Sequence, residues 1–337
     1  MNGQGRQQVR ILTNFMNSPK VIELAGDKHI EVIRSEAWPE VRKRLKSADV
    51  IVIDCRDPLL NKICVHFLLF PWTRKPLVAV DLVLRIPVRF KQRIGALLKR
   101  LLFRRVTHFI HYFRDISGYT RHFGISAARS SYVPFKVNIT DIRLSPAEIG
   151  EDYIFTMGRS LRDYDSFIRA VAELPYPAAI PEFSFSDFEG KDDSFAWTKE
   201  NVPPHLTILP DSGSSNDLVR NIAKARLVVI PTQASSICAS GLSTYLDAMY
   251  LGKCVILSRG PGASDLLTDQ ALLVPPHDVS ALKEAVRRAW EDDSLRKRTA
   301  ESGRNYALSL GGEEELLQRI FRQVLDVVAA PTSRGVE

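Results

Sequence analysis

Short runs of consecutive apolar residues alternate along this chain with segments whose apolar positions recur every three to four residues. In the first half the runs are VRILTNF, HIEVI, DVIVIDC, PLVAVDLVL and VTHFIHYF. Unbroken runs rich in Val and Ile are the pattern of strands covered on both faces, and WPEVRKRLKSA and FKQRIGALLKRLLFRR between them have helical spacing. Residues 137–152, mixed and polar with Pro146 and Gly150, read as a linker. The alternation then restarts: YIFTMG, the helical SFIRAVAEL, the strands FSFS and LTIL, the helical DLVRNIAKA, then RLVVIP, STYLDAMYLG, CVILS, ALLVPP and SALKEAVRRAWED. A final helix is expected near Glu313–Val328. The pattern predicts an α/β protein of two doubly wound units, with ligands at the carboxyl ends of the strands in a cleft between them. The expected divisions are 1–147, 148–312, and a helix and tail over 313–337.

Length and composition agree with two ordinary globular domains: 337 residues, 45% hydrophobic and 25% charged. The beginning of the sequence lacks an apolar leader, and the densest apolar run, Ile63–Trp72, is too short to cross a bilayer. Four cysteines without C-x-x-C spacing, Cys55, Cys64, Cys238 and Cys254, are expected to be buried thiols in a reducing compartment. A cytoplasmic location is the resulting expectation. Charge divides unevenly, with a net +15 over residues 1–147 and −8 over the rest. Only the first half is therefore expected to meet an anionic surface.

Two segments carry candidate chemistry. After RLVVIP, the small residues Ser240-Gly241 open a helix at Leu242, and the amides of Gly241, Leu242, Ser243 and Thr244 with the helix dipole suit a phosphate. Asp247, one turn inside, is placed to accept hydrogen bonds from vicinal ribose hydroxyls. The second segment, Tyr153–Tyr164, ends a strand in Gly158-Arg159 and continues to Arg162. Two guanidiniums at a strand's carboxyl end suit a diphosphate. Each segment alone has an ordinary structural explanation, as a capped helix or a surface salt bridge.

Together they resemble the carboxyl-terminal domain of GT-B glycosyltransferases of the family-4-like group, from about Tyr153 to Arg304. The resemblance rests on the Gly158-Arg159 turn, Val229-Ile230-Pro231, the Ser-Gly-x-Ser turn with Leu246-Asp247-Ala248-Met249, Leu251-Gly252-Lys253, Gly262–Leu267, and Leu273–Asp278 before Ala281-Leu282. It implies a GT-B fold, a nucleotide-sugar donor, a diphosphate held by Arg159, Arg162 and residues 242–244, ribose bound by Asp247, and no required cofactor or metal. The group's E-x7-E motif has only its second acid, Asp247, because Ala239 stands at the first. Asp163 follows Arg162 where glycine usually follows a lysine, and Asn14–Pro19 replaces the glycine-rich loop often found after the first strand. The activity implied is sugar transfer to a glycan or lipid-linked glycan; the competing expectation is a noncatalytic relative that binds a nucleotide sugar or a partner.

An acid or base is expected from the first half, at a strand end: Asp81 is favoured over Asp54 and Asp57, and each also reads as a turn carboxylate. Asp187, Glu189, Asp192 and Asp193 resemble a metal pair only superficially, and His108 and His111 are expected on opposite faces of a strand. Between Arg85 and Arg114 lie nine Lys and Arg and no acid. Phe90, Ile94, Leu97, Leu98, Leu101 and Leu102 share helical spacing there, which fits either a helix on an anionic membrane or a core-facing helix with a basic outer side. With no RNA-binding motif or aromatic platform, nucleic acid is not an expected partner.

Overall fold

The computed structural model describes residues 8–15, 17–24, 28–55, 58–183, 197–210 and 214–329. By internal packing the chain forms two compact units, Met1–Pro134 with Glu314–Glu337, and Phe135–Glu313. Residues 137–152, read above as a linker, pack within the second unit: the Val137 N–H donates to the Gly311 carbonyl at 3.0 Å and the Asp152 N–H to the Lys224 carbonyl at 2.8 Å.

The first unit is built on a sheet of β1 (Gln8–Thr13), β2 (Val21–Leu24), β3 (Lys28–Arg34), β4 (Val50–Asp54), β5 (Leu77–Val80), β6 (His108–His111) and β7 (Ser130–Tyr132), in the order β2-β3-β1-β4-β5-β6-β7. All neighbours are parallel except β2 and β3. Every residue of β4 and β5 is buried, as unbroken Val/Ile runs require. Helices α1 (Trp38–Arg44), α2 (Leu59–Leu69), α3 (Phe90–Phe103) and α4 (Ser117–Phe123) complete the winding. The apolar run at Ile63–Trp72 thus begins in a helix that buries Leu60, Ile63, Cys64 and Phe67. A last helix, Glu313–Ala329, returns to this unit with Leu317, Ile320, Phe321 and Val324 buried.

The second unit has a fully parallel sheet of β8 (Tyr153–Thr156), β9 (Ala178–Pro181), β10 (Leu206–Leu209), β11 (Ala225–Ile230), β12 (Cys254–Ser258) and β13 (Leu272–Val274), ordered β10-β9-β8-β11-β12-β13. Its helices are α5 (Tyr164–Ala172), α6 (Ser215–Lys224), α7 (Leu242–Tyr250), α8 (Val279–Glu291) and α9 (Asp293–Leu310), and the returning helix is α10. Aspartates start three of them: Asp163 accepts the Ser166 N–H at 3.1 Å, Asp278 that of Ala281 at 2.8 Å and Asp292 that of Leu295 at 2.9 Å. The expected strand FSFS falls mostly outside the described residues.

Strand order locates the site. From β8 the chain winds outward to β9 and β10, then crosses back to lay β11 on the other side of β8. The loops leaving β8 and β11 therefore diverge and leave a crevice at their carboxyl ends, the place where open parallel sheets hold ligands. In the first unit the same reversal falls between β1 and β4.

Candidate active site at the end of the second sheet

Arg162 is the centre of this crevice. It lies between the ends of β8 and β11, bridging to Thr232, and only 3% of it is exposed. Its Nε donates to the Met157 carbonyl at 2.8 Å, one terminal nitrogen to the Ser160 carbonyl at 2.9 Å, and the other to Thr244 Oγ1 at 3.2 Å. All three partners are neutral. Burial accordingly pushes the Arg162 pKa down, with partial compensation from nearby Tyr164 and Cys238.

Two glycines make room for this guanidinium. A Cβ on Gly158 (φ 110°) would collide with an Arg162 terminal nitrogen, and one on Gly241 (φ 89°) would meet Ile230 at 2.8 Å and Arg162 at 3.5 Å. Both positions combine left-handed backbone with close approach, so no other residue fits without movement. Leu161 also has positive φ, 54°, a strained turn that brings Arg162 back under Gly158.

Helix α7 starts at the same place. Its first intrahelical bond runs from the Tyr245 N–H to the Gly241 carbonyl at 2.9 Å, and Gly241 supplies no capping side chain. The amides of Ser243 and Thr244 precede that bond, so the positive end of the helix dipole adds to the charge of Arg162. The loop before it is braced by Ser236, whose hydroxyl donates to the Cys238 carbonyl at 3.0 Å and lies 2.7 Å from that of Ser240. A buried cation, the first amides of a helix and the positive end of its dipole come together here, an arrangement that suits an anion.

The other expected donor residues take distinct places. Arg159 is exposed and its guanidinium lies 4.3 Å from the centre of the Phe183 ring, a cation–π contact at the edge of the crevice. Asp247 is buried and faces back into its own unit: its carboxylate accepts the Asn138 N–H at 2.9 Å and the Asn138 side-chain amide at 3.4 Å. Burial raises its pKa to about 6, against the lowering effects of Asn138 and Lys136. Lys253, part of the Leu-Gly-Lys segment, is buried and donates to the Gly150 carbonyl at 2.9 Å, a structural tie rather than an anion contact.

Sequence reasoning missed Asn138 and His277. Asn138 is 109 residues from Asp247, and no local pattern couples them. His277, at φ 59°, donates from Nδ1 to Asp163 Oδ2 at 2.6 Å and accepts the Ala234 N–H at Nε2 at 3.2 Å. A backbone amide only donates, so this geometry fixes the neutral tautomer. The imidazole thus clamps the loop after β11 to the cap of α5, and Asp163, which stands where the group usually has glycine, supplies one half of that contact.

In the first unit, Asn14 and Asp54 exchange bonds across the β1/β4 reversal: Asn14 Nδ2 donates to the Asp54 carbonyl at 3.0 Å and the Asp54 N–H to Asn14 Oδ1 at 2.8 Å. Asp81 follows β5, half-buried at φ 55°, a strained conformation for a residue with a side chain. Burial pushes the Cys55 thiol well above its usual range, and the nearby Asp54 and Asp81 carboxylates add to the effect. Asp57, Asp187, Glu189, Asp192 and Asp193 lie outside the described residues. His108 bonds Ser131 at 3.0 Å; buried His111 bonds Ser130 at 3.4 Å, and desolvation lowers its pKa to about 4. Among the described residues no group of three or more His, Cys, Asp or Glu is arranged to hold a metal ion.

Residues 150–306, nearly the whole second unit, match the family of glycosyl transferases group 1. No match to a curated protein was found by sequence. Among solved structures, HepE of Anabaena in complex with UDP is similar at 17% identity and a TM-score of 0.68, over 88% of this chain and 86% of that one. Sucrose-phosphate synthase from Thermosynechococcus elongatus is similar at 16% identity and 0.65, over 95% and 89%. The UDP-forming α,α-trehalose-phosphate synthase from Burkholderia vietnamiensis is similar at 12% identity and 0.58, over 97% and 99%. The fold is GT-B, as the family resemblance implied. The chain is a glycosyltransferase whose second unit carries the group 1 domain.

Two predictions follow from this geometry. Because the Asp247 pKa is raised in the folded state, the folded chain binds a proton between about pH 4 and 6 that the unfolded chain lacks, and stability falls as pH rises through that window. The ionised carboxylate then costs on the order of 3 kcal/mol. Asp247→Asn should raise the melting temperature at pH 8 and flatten the pH dependence between 4 and 6, yet weaken nucleoside-diphosphate binding; a lower melting temperature would contradict the burial argument. His277→Gly relieves the strained φ but removes the clamp. Faster amide hydrogen exchange over residues 232–240 is expected, and unchanged protection would show that His277 does not hold the loop.

Proposed function

We propose that this glycosyltransferase takes a sugar from a nucleotide-sugar donor and passes it to a hydroxyl of a glycan or lipid-linked glycan. The observation that carries the donor assignment is Arg162: a buried guanidinium with neutral protein partners, placed beside the uncapped N-terminus of α7. A buried charge of this kind is costly unless an opposite charge meets it. A diphosphate supplies two, and its forked oxygens fit Arg162, the Ser243 and Thr244 amides, and Arg159 at the rim. The UDP held by HepE supports the same class of ligand.

This set of groups suggests the chemistry. As the bond between sugar and diphosphate breaks, negative charge grows on the leaving oxygen, and fixed donors already aimed at it stabilise that charge without reorganisation. A single such donor is commonly worth about a hundredfold or more in rate. The proposed reaction therefore draws its stabilisation from guanidinium and amides and needs no divalent ion. Asp247 is assigned to the ribose; binding there would trade the Asn138 amide for sugar hydroxyls. Ala239 leaves the donor sugar without the carboxylate expected of the group, so recognition of the sugar must come from other contacts.

Asp81 is assigned to the acceptor hydroxyl, as base or as positioning group. Its support is the strained φ of 55° at the carboxyl end of a fully buried strand, a conformation that folds retain at sites of function more often than elsewhere. Release of nucleoside diphosphate from UDP-, ADP- and GDP-sugars, measured with extracted lipid-linked glycans as acceptors, tests the reading. Turnover with a donor is expected, undiminished by EDTA, with kcat lowered about a hundredfold in Asp81→Asn while diphosphate affinity holds. Binding without turnover on any donor would overturn it, and full activity in Asp81→Asn would remove that residue from the chemistry.

A further inference from the structure

Helix α3 is amphipathic, but its larger apolar face is turned outward. Ala96 and Phe103 are the residues it buries, with the Phe103 ring edge-on to Phe109 at 5.9 Å and tilted to Phe123 at 6.5 Å. On the opposite side Phe90 is 78% exposed, Leu97 65%, Leu98 60%, Leu101 46% and Ile94 45%. At 100° per residue these five fall within about a third of the helix circumference, a ridge about 16 Å long. The core-facing alternative left open by the sequence is thereby excluded for this face.

The ridge is neither scattered exposure nor a frayed segment. Among the described residues, eleven of the fourteen exposed large hydrophobic side chains lie between Val65 and Leu101. They include Leu69 and Trp72, at and just beyond the end of α2, which packs against α3. A concentration of this kind marks an interaction surface. The helix is also fixed in advance: Gln92 Oε1 accepts the Val88 and Arg89 amides at 2.9 Å each, and the Arg100 stem passes over the turn at Gly124 that ends α4. The face needs no folding step to form.

Charge identifies what covers it. Arg93, Arg100 and Arg104 run along one border of the ridge and Lys91 along the other, and residues 58–114 hold twelve Lys and Arg against one acid, Asp81. A second copy of this chain would bring the same positive border against it. We infer that α3 docks on an anionic lipid bilayer, with Phe90, Ile94, Leu97, Leu98 and Leu101 in the headgroup–acyl boundary and the bordering guanidiniums on lipid phosphates. No helix among the described residues is long and apolar enough to cross a membrane, so the association is peripheral. This inference stands on the surface of the first unit alone and does not depend on the donor assignment.

The test is co-sedimentation of the full chain, without donor, with vesicles of phosphatidylglycerol and phosphatidylcholine and with vesicles of phosphatidylcholine alone. Binding to the anionic vesicles is expected to exceed that to neutral ones by about tenfold or more and to fall as salt is raised. Leu97→Glu with Leu101→Glu should abolish binding without lowering the melting temperature, since both side chains are exposed. Arg93→Gln with Arg104→Gln should weaken binding and flatten its salt dependence. Failure of the native chain to sediment with anionic vesicles, or native-like binding by the Leu97→Glu, Leu101→Glu protein, would overturn the inference. So would a dimer in sedimentation velocity that these two glutamates split, because a second copy would then be the occupant.

Discussion

The arrangement of the second unit turns on one unbalanced charge. Arg162 is taken out of water by the turn that leaves β8, and the groups that receive its hydrogen bonds are two carbonyls and a hydroxyl. Nearby, α7 begins without a side-chain cap and adds its own positive end. A fold that places two sources of positive potential together, one of them a guanidinium taken out of water, has prepared a field that suits an anion. The features around it follow from holding that geometry: glycine at 158 and 241 for clearance, a left-handed Leu161, and the Ser236–Ser240 brace. His277 secures the loop from the other side.

Asp247 belongs to the same design in a different way. Its carboxylate is buried on the helix whose N-terminus lies beside Arg162, and Asn138 satisfies it from a segment far away in sequence. The fold thus keeps an acid poorly solvated where a ligand's hydroxyls are assigned to bind. Local stability is given up at the place where recognition is proposed, a trade common to functional sites.

The fold was legible because its signals are local. Continuous Val and Ile runs marked β4, β5, β11 and β12, and their alternation with helical spacing marked parallel winding. The turns at Gly158 and Gly241 were legible because only glycine meets their demands, and the Arg162 between them was readable as a candidate cation. Its burial was not, since that depends on β8 and β11 becoming neighbours across some seventy residues of chain. The same limit hid Asn138 beside Asp247 and His277 beside Asp163, pairs that only the tertiary structure creates. For α3, periodicity showed two faces but not which one the core would take. Exposure resolves this: the smaller Ala96 and Phe103 side is buried, and the broader apolar face is left outside.

The central claim is that Arg162, held beside the start of α7, grips a diphosphate. Its most direct measurement is calorimetric titration of UDP, ADP and GDP in turn into the native chain and into Arg162→Lys, with melting curves to establish that both are folded. Lysine keeps the charge but loses the fork, so at least a tenfold loss of affinity for whichever nucleotide binds is predicted. Equal affinity in a folded Arg162→Lys protein would contradict the account.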